Sequence, residues 1–294
     1  MFDCLVAGDA NVDLLMDGVI ALEPGTEKLA KGMHLVLGGS SAITAFNLCK
    51  LGRKVAFAGV VGHDLLGRFV EEKLAGGGVD IRWLSRSDTE KTGLTIWHSC
   101  HAERAGVTYQ GTIAMLDAGD ILDEMLKSAR HFHVGAYFVQ SRLHAQAAQL
   151  FARAKALGVT TSIDCNYDPA ERWDSNLLEV LEHADVFFPN EDEARAITGN
   201  PDTAGAAREL ATRARCVVVK LGARGVLIVT RSWEFEVAAI PAEVLDTTGA
   251  GDSFNAGFLS RFVLGDDLES CAQAGVAAAA RSVGQVGGTT AFES

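Results

Sequence analysis

The sequence predicts an α/β protein, a mostly parallel sheet with helices on both faces. Two observations carry that prediction. Strand-like and helix-like segments alternate through most of the chain, the pattern of a sheet built by crossovers. Residues 216–221, Cys-Val-Val-Val-Lys-Leu, are a largely β-branched run fit for a buried strand. The chain has 294 residues, 48% of them hydrophobic and 22% charged. That is enough apolar material for the core of one large domain with an appendage.

Taken in order, residues 2–7 read as a strand, 41–51 as a helix, 55–60 as a strand and 65–75 as a helix. Strands follow at 132–134, 160–164 and 186–188, with a helix over 144–157. Near the C-terminus a strand-like 244–245 precedes a helix running on from Ser253. Two regions break the alternation. Residues 13–36 lack a good helix, and residues 92–111 alternate like exposed strands, so both read as extended insertions. The sequence has no internal repeat and no Pro-rich linker, and a single domain over 1–294 is expected.

Bulk properties narrow the function. A net charge of −12 disfavours nonspecific binding to nucleic acid or an anionic membrane. No apolar run is long enough to span a bilayer. The chain begins with a strand pattern rather than a basic, hydrophobic signal, and its six cysteines are scattered without a Cys-x-x-Cys pair. Buried thiols in a cytoplasmic enzyme are the expectation.

The chemistry concentrates in Asp246-Thr247-Thr248-Gly249-Ala250-Gly251-Asp252. Glycines flanking one alanine let the backbone turn tightly and approach a ligand. The helix that follows presents unpaired N–H groups and the positive end of its dipole, an anion site suited to phosphate. A carboxylate at the mouth of such a site repels phosphate, so Asp252 is either an N-capping residue or a general base that takes a proton from a substrate hydroxyl.

That heptapeptide, continued by Ser253-Phe254-Asn255-Ala256-Gly257, resembles the C-terminal motif of the PfkB/ribokinase family of carbohydrate kinases. The resemblance extends over nearly the whole chain. It implies a ribokinase-like three-layer α/β/α sandwich in which the two insertions form a small β-sheet lid over the sugar. It implies ATP as phosphoryl donor, Mg²⁺ as cofactor and a hydroxyl, expected to be primary, of a sugar or sugar-containing compound as acceptor. Asp252 is then the base, with the amides of Gly249, Ala250 and Gly251 stabilising the transferring phosphoryl group. A nucleoside or phosphosugar kinase on the same scaffold is the alternative within the class; a catalytically idle sugar- or nucleotide-binding protein is the alternative outside it.

The other motifs take roles from the same resemblance. Asn11 and Asp13 correspond to the substrate-binding pair after the first strand, Asp13 being acceptor-only when ionised. Gly38 and Gly39 would let backbone amides reach the substrate, with Ser40 or Ser41 capping the next helix. Ile43 stands where the family usually has a sugar-contacting Asn, so a less polar substrate edge is expected there. Asn47, one turn on, reads as an ordinary polar helix residue, and Arg104 is a lid candidate for the substrate. Asp168, in the segment Asp164 to Trp173, stands where relatives often carry a phosphate-contacting Arg; a polar loop is the plainer reading. Asn190 and Glu193 match an Asn-x-x-Glu motif that would order a hydrated Mg²⁺, unless they form a solvated acidic helix start. Lys220, Gly222, Gly225 and Thr248 would border the nucleotide, with Arg224 facing phosphate or solvent. Asp246 is a candidate for a monovalent cation, K⁺ in many family members. Ala291 replaces a contributing Ser, so at most modest K⁺ activation is expected. The exposed edges of a lid sheet would also offer a homodimer interface.

Overall fold

In the computed structural model of the chain, residues 1–18, 24–100 and 103–293 are described, with backbone alone for 99, 100, 103 and 104. The strands are β1 (Phe2–Ala7), β2 (Asn11–Asp17), β3 (Gly32–Gly38), β4 (Val55–Gly62), β5 (Asp80–Ser87), β6 (Leu94–Cys100), β7 (Glu103–Tyr109), β8 (Ala129–Val134), β9 (Thr160–Ile163), β10 (Val186–Phe187), β11 (Cys216–Lys220), β12 (Val226–Thr230) and β13 (Glu234–Val237). The helices are α1 (Ser40–Lys50), α2 (Leu65–Gly76), α3 (Asp123–Lys127), α4 (Ser141–His144), α5 (Ala147–Ala156), α6 (Leu177–Leu181), α7 (Glu191–Thr198), α8 (Thr203–Leu210), α9 (Ala250–Phe262) and α10 (Leu268–Ser282).

The main sheet has the order β13-β12-β11-β10-β9-β8-β1-β4-β5. Its strands from β11 through β5 are parallel; β12 and β13 add antiparallel at one edge. The two faces carry separate apolar cores, as a sheet buried on both sides requires. One packs Phe132, Phe151, Leu177 and Leu210 under α5, α6 and α8. The other packs Phe46, Leu74, Phe258 and Val276 under α1, α2, α9 and α10. α1 is buried along Ser40–Leu48, and its small side chains let α9 lie against it. Gly257 performs the same service between α9 and α10, where a Cβ would collide with the Ala274 carbonyl.

The two insertions meet as a second sheet of order β3-β2-β6-β7. β2 pairs antiparallel with β3 and parallel with β6, and β6 pairs antiparallel with β7. This second sheet takes its strands from residues 11–17, 32–38, 94–100 and 103–109, within or beside the two insertions.

Two local expectations fail. Residues 144–157 are not one helix, because the chain breaks between α4 and α5. The His144 ring bonds the Tyr137 carbonyl at 2.8 Å and lies 4.6 Å from the Tyr137 ring, which fixes the first turn separately. Residues 244–245 are not a strand: Val244 and Leu245 are 62% and 66% exposed. Their backbone is tied instead to the end of α10, through Leu245 N–H to Val283 O at 2.8 Å.

Candidate active site

The motif residues gather where ligands bind in open parallel sheets, beyond the carboxyl ends of the strands. Asp9 follows β1, Asp164 follows β9, Asn190 follows β10, and Lys220 ends β11. The N-terminus of α9 faces them.

α9 starts at Ala250, three residues earlier than expected, with Gly249 as N-cap in the left-handed region (φ 69°) and no side-chain cap. A side chain at 249 would be strained and would place Cβ 2.6 Å from the Gly288 Cα. The helix start is thereby left open to an anion. One of the three amides expected to face it is engaged: Ala250 N–H turns back onto Thr247 O at 3.2 Å. Asp252 lies in the first turn, and Ser40 Oγ donates to its Oδ1. Burial pushes the Asp252 carboxyl up to about 8; the Asp164 charge adds to the rise, while the Ser40 hydrogen bond and Lys220 oppose it.

One side of the site is built from β1, β2, β3 and α1. Asn11 and Asp13 are buried and joined, Asn11 Nδ2 donating to Asp13 Oδ1 at 3.0 Å. A Cβ at Gly38 would collide with both side chains, and Gly39 has φ 92° beside the Asp9 carbonyl. Those four expected residues therefore form one constellation. The helix cap differs from expectation. Neither serine caps α1; the Asp9 carboxylate, 31 residues upstream, accepts Ser40 N–H at 2.9 Å and Ser41 N–H at 2.8 Å. Ser40 keeps its hydroxyl for Asp252. Ile43 is 2% exposed, and its methyl carbons lie against Gly249 and Gly288. It supports the anion loop from below, a placement the sugar-facing expectation did not foresee. Asn47 is no ordinary helix residue: it is fully buried and its Nδ2 donates to Ser253 Oγ at 3.0 Å and Gly288 O at 2.9 Å. Arg104 pairs through its backbone with Ser99 on β6; its side chain lies outside the described residues.

On the other side a buried ion pair missed in the sequence takes the centre. Lys220 Nζ donates to Asp164 Oδ2 at 2.6 Å, and Asn255 Nδ2 donates to the same oxygen at 2.5 Å. Burial pushes Asp164 up, but Lys220 and the hydrogen bonds from Lys220 and Asn255 overcome it and hold the carboxylate below its ordinary range. Burial likewise disfavours the Lys220 cation, and the charges of Asp164 and Glu193 outweigh that, raising its pKa. The ammonium stands beside the anion loop, 3.5 Å from where a Cβ on Gly251 would be.

A cavity of about 600 Å³ opens beside it, lined by Lys220, Gly222, Gly225, Thr247, Gly251 and Phe254 among others. Its size and largely apolar walls suit a nucleotide. Gly225 (φ 104°) also answers a structural need, since a Cβ there would strike Val237 O of β13. Thr248 turns away: its N–H and hydroxyl donate to Asp246 Oδ1 at 2.9 and 2.6 Å, and Thr247 faces the cavity instead. Asp246 Oδ2 accepts Gly287 N–H at 2.8 Å, clamping the anion loop to the C-terminal loop. Arg224 pairs with Glu191 at 2.8 Å.

Asn190 and Glu193 form a reciprocal capping box on α7, with both hydrogen bonds at 2.8 Å. Of the acidic start, Asp192 stays exposed but Glu193 is buried, and burial, aided by Asp164, raises its pKa. Asp164, Cys165 and Glu193 bring one ligand atom each within 4.8 Å of one another. Burial and the neighbouring carboxylates hold the Cys165 thiol far above its ordinary pKa, so it stays protonated and is no ligand for a hard cation. Asp164 is committed to Lys220, Asn255 and the Asn166 N–H, and Glu193 Oε2 to the cap, so Glu193 Oε1 is the oxygen that would meet a hydrated cation. Asp168 is the polar loop organiser, accepting the N–H groups of Ala170, Arg172 and Trp173 at 2.8–2.9 Å.

An open helix N-terminus, a lysine at its side and a carboxyl in its first turn form an arrangement suited to phosphoryl transfer to a hydroxyl. The pfkB family carbohydrate kinase model matches residues 1–294, and the chain belongs to that family. It is 30% identical to 5-dehydro-2-deoxygluconokinase of Lacticaseibacillus casei, over 99% of this chain and 92% of that one. The structure superposes on adenosine kinase from Sinorhizobium meliloti with a TM-score of 0.86 at 25% identity, covering 98% and 95% of the two chains. It matches an Escherichia coli protein described as a ribokinase II candidate, in complex with ATP and Mg²⁺, with a TM-score of 0.85 at 25% identity, covering 99% and 96%. The fold is that of ribokinase, and the protein is an ATP-dependent kinase of a sugar or nucleoside.

Proposed function

We propose that the acceptor is a sugar whose primary hydroxyl meets Asp252, held by Asn11, Asp13 and the amides of the Gly38-Gly39 turn. The observation that carries this reading is the Asp252 carboxyl at the open N-terminus of α9, its pKa lifted to about 8. A base poised near the working pH takes the hydroxyl proton as the oxygen attacks phosphorus. ATP supplies the phosphoryl group. The loop amides of Gly249 and Gly251, with Lys220, balance the charge that gathers on that group. Gly222, Gly225 and Thr247 border the nucleotide. Mg²⁺ held through water by Glu193 and its neighbours would neutralise the phosphates. Closure of the lid excludes water, the competing acceptor.

The lid also supports a homodimer. Its register aligns Leu35, Leu14, Ile96 and Val107 in one row across four strands, and Leu35 and Val107 are 43% and 61% exposed. An apolar row on a solvent face is suited to a second copy. Purified protein assayed with ATP, Mg²⁺ and a panel including D-ribose, 5-dehydro-2-deoxygluconate, adenosine and fructose 6-phosphate tests the acceptor class. Turnover confined to the nucleoside or the sugar phosphate would overturn the proposed one, and a monomer in sedimentation analysis would overturn the dimer.

A further inference from the structure

One side of α1 is fastened to the start of α9 by three polar side chains. Ser40 Oγ donates to Asp252 Oδ1. One turn on, Thr44 Oγ1 donates to the Asp252 carbonyl at 3.4 Å. Another turn on, Asn47 Nδ2 donates to Ser253 Oγ at 3.0 Å and to Gly288 O at 2.9 Å. Positions 40, 44 and 47 lie on one face of a helix. All three side chains are buried, as is Ser253. Buried polar groups are costly unless paired, so these bonds hold the two helices in one register.

The Ser40 hydroxyl is free for this contact because α1 is capped from another element. A serine at a helix start ordinarily turns its oxygen to the amides of the first turn. Here the Asp9 carboxylate takes those amides, Ser40 N–H on Oδ2 at 2.9 Å and Ser41 N–H on Oδ1 at 2.8 Å. The Asp9 carbonyl takes the next, Ala42 N–H, at 3.2 Å. Three unpaired donors of the helix start are thus held by one residue that follows β1. The glycine N-cap permits the approach: a Cβ on Gly39 would lie 2.8 Å from the Asp9 carbonyl oxygen. The end of β1 therefore sets where the Ser40 hydroxyl stands, and Ser40 sets one oxygen of Asp252.

We propose that Ser40 is a positioning residue for the proton transfer, its hydroxyl holding Asp252 Oδ1 so that Oδ2 is the oxygen that takes the acceptor proton. This rests on the reading of Asp252 as the base. A carboxylate free to turn about its Cβ–Cγ bond offers its lone pairs in many directions; one fastened at Oδ1 offers Oδ2 in one. As the acceptor oxygen bonds to the γ-phosphorus of ATP, the bond from that phosphorus to its bridging oxygen breaks. ADP leaves with the electron pair, and the hydroxyl proton passes to Oδ2. The Ser40 bond also favours the ionised carboxylate, against burial and the negative charges of Asp164 and Asp9 and alongside Lys220. Asp9 acts one step further back, by fixing the start of α1.

The test begins on the unliganded protein. The Asp252 carboxyl is followed by ¹³C spectra of aspartate-labelled protein during a pH titration, its signal assigned by its loss in Asp252→Asn. Ser40→Ala should raise the Asp252 midpoint by about one pH unit, since a donor to the charged form is lost. Ser40→Thr, which keeps the hydroxyl, should leave it near the wild-type value. Kinetics with Mg²⁺, ATP and the best acceptor of the panel supply the second arm. Ser40→Ala should lower kcat by about tenfold with the acceptor KM within about twofold, and its rise of kcat/KM with pH should move to higher pH. Ser40→Thr should recover most of the loss. An unmoved midpoint in Ser40→Ala, or equal losses in the two variants, would overturn the proposal. If the alanine variant does not fold, Ser40→Cys fills the same space with a poorer donor and is read in the same way. The two readings fail separately: near-wild-type turnover in Asp252→Asn removes the base itself, whereas an inactive Asp252→Asn beside a fully active Ser40→Ala removes only the role of Ser40.

Discussion

Two helices begin at the same site and end their chains of hydrogen bonds in opposite ways. α7 is closed at its start, because Asn190 and Glu193 take each other's backbone N–H groups. α9 is open, because its N-cap is a glycine without a side chain to offer. Both starts follow motif-like runs of polar residues, but only the open one leaves donors and dipole for a phosphate. The difference teaches that a functional helix start is recognised by what is missing from its cap. Glu193 becomes available to a metal only through the oxygen the cap does not use.

The largest effect is expected at the open start. Asp252→Asn removes the base and should lower kcat by about 10²–10⁴-fold while ATP binding is retained; near-wild-type turnover would end the assignment. The raised pKa gives the sign of two pH effects. Below about 8 the carboxyl is protonated in the fold, so kcat/KM of the wild type should climb as pH rises from 6 to 8. Stability should move the other way. The folded pKa lies above the unfolded one, so the contribution is full below about 4 and is lost as pH rises through about 8. Asp252→Asn cannot ionise, and its Tm at pH 8.5 should exceed that of the wild type, with the gap closing at pH 5. A gap that does not depend on pH would show that the carboxyl is not held protonated.

A second, smaller effect sharpens the same contrast from beneath the loop. The Ile43 methyl carbons fill the space under Gly249 and Gly288. Ile43→Asn puts an amide into that apolar gap and should disturb the open helix start itself. The expected result is a kcat lowered about tenfold for every acceptor tested, since an unpaired buried amide costs about 1–3 kcal/mol. A changed preference between D-ribose and a deoxy acceptor, with kcat intact, would show instead that position 43 reads the sugar.

The closed start is probed by Glu193→Gln. The amide oxygen can still accept Asn190 N–H, so α7 keeps its cap and the protein should keep its Tm. Only the charge is lost. A site that orders Mg²⁺ through water should then need about two- to tenfold more Mg²⁺ for half-maximal rate. An unchanged Mg²⁺ requirement would reduce Glu193 to a capping residue.

Much of this architecture is legible in the sequence, for identifiable reasons. The sheet is legible because parallel strands buried on both faces are apolar runs separated by helices. The lid segments are legible as strands, but not their register, which depends on pairing between insertions far apart in the chain. At the site, contiguous groups such as Asn11 with Asp13, or Gly249 with Asp252, can be read directly. The pairs that join distant strands cannot. Asp164 meets Lys220 across 56 positions and Asn255 across 91, and Ser40 meets Asp252 across 212. The cap of α1 is hidden for the same reason, as Asp9 arrives from the loop after β1. Ile43 shows a subtler limit. On a helix buried along Ser40–Leu48, periodicity carries no signal for which face meets the ligand.

The smallest effect concerns the hinge between the two loops, where a monovalent cation would be expected to act. Such a cation serves by drawing the oxygens of the anion loop and the C-terminal loop together. Here Asp246 itself joins those loops. Its Oδ1 takes the N–H and hydroxyl of Thr248, and its Oδ2 takes Gly287 N–H, all within 2.9 Å. Asn47 adds a second tie, from α1 to Gly288 O. Ala291 offers no hydroxyl and is buried in the core instead. A loop already fastened by four hydrogen bonds gains little order from an ion, so replacing Na⁺ by K⁺ at constant ionic strength should raise kcat by no more than about threefold. The comparison becomes sharper in Asp246→Asn, which keeps an acceptor for Thr248 but weakens the tie to Gly287. That variant should lose activity whichever cation is present. A strict requirement for K⁺ in the wild type would show that the hydrogen bonds of Asp246 do not set the loop, and that its carboxylate is an ion ligand first.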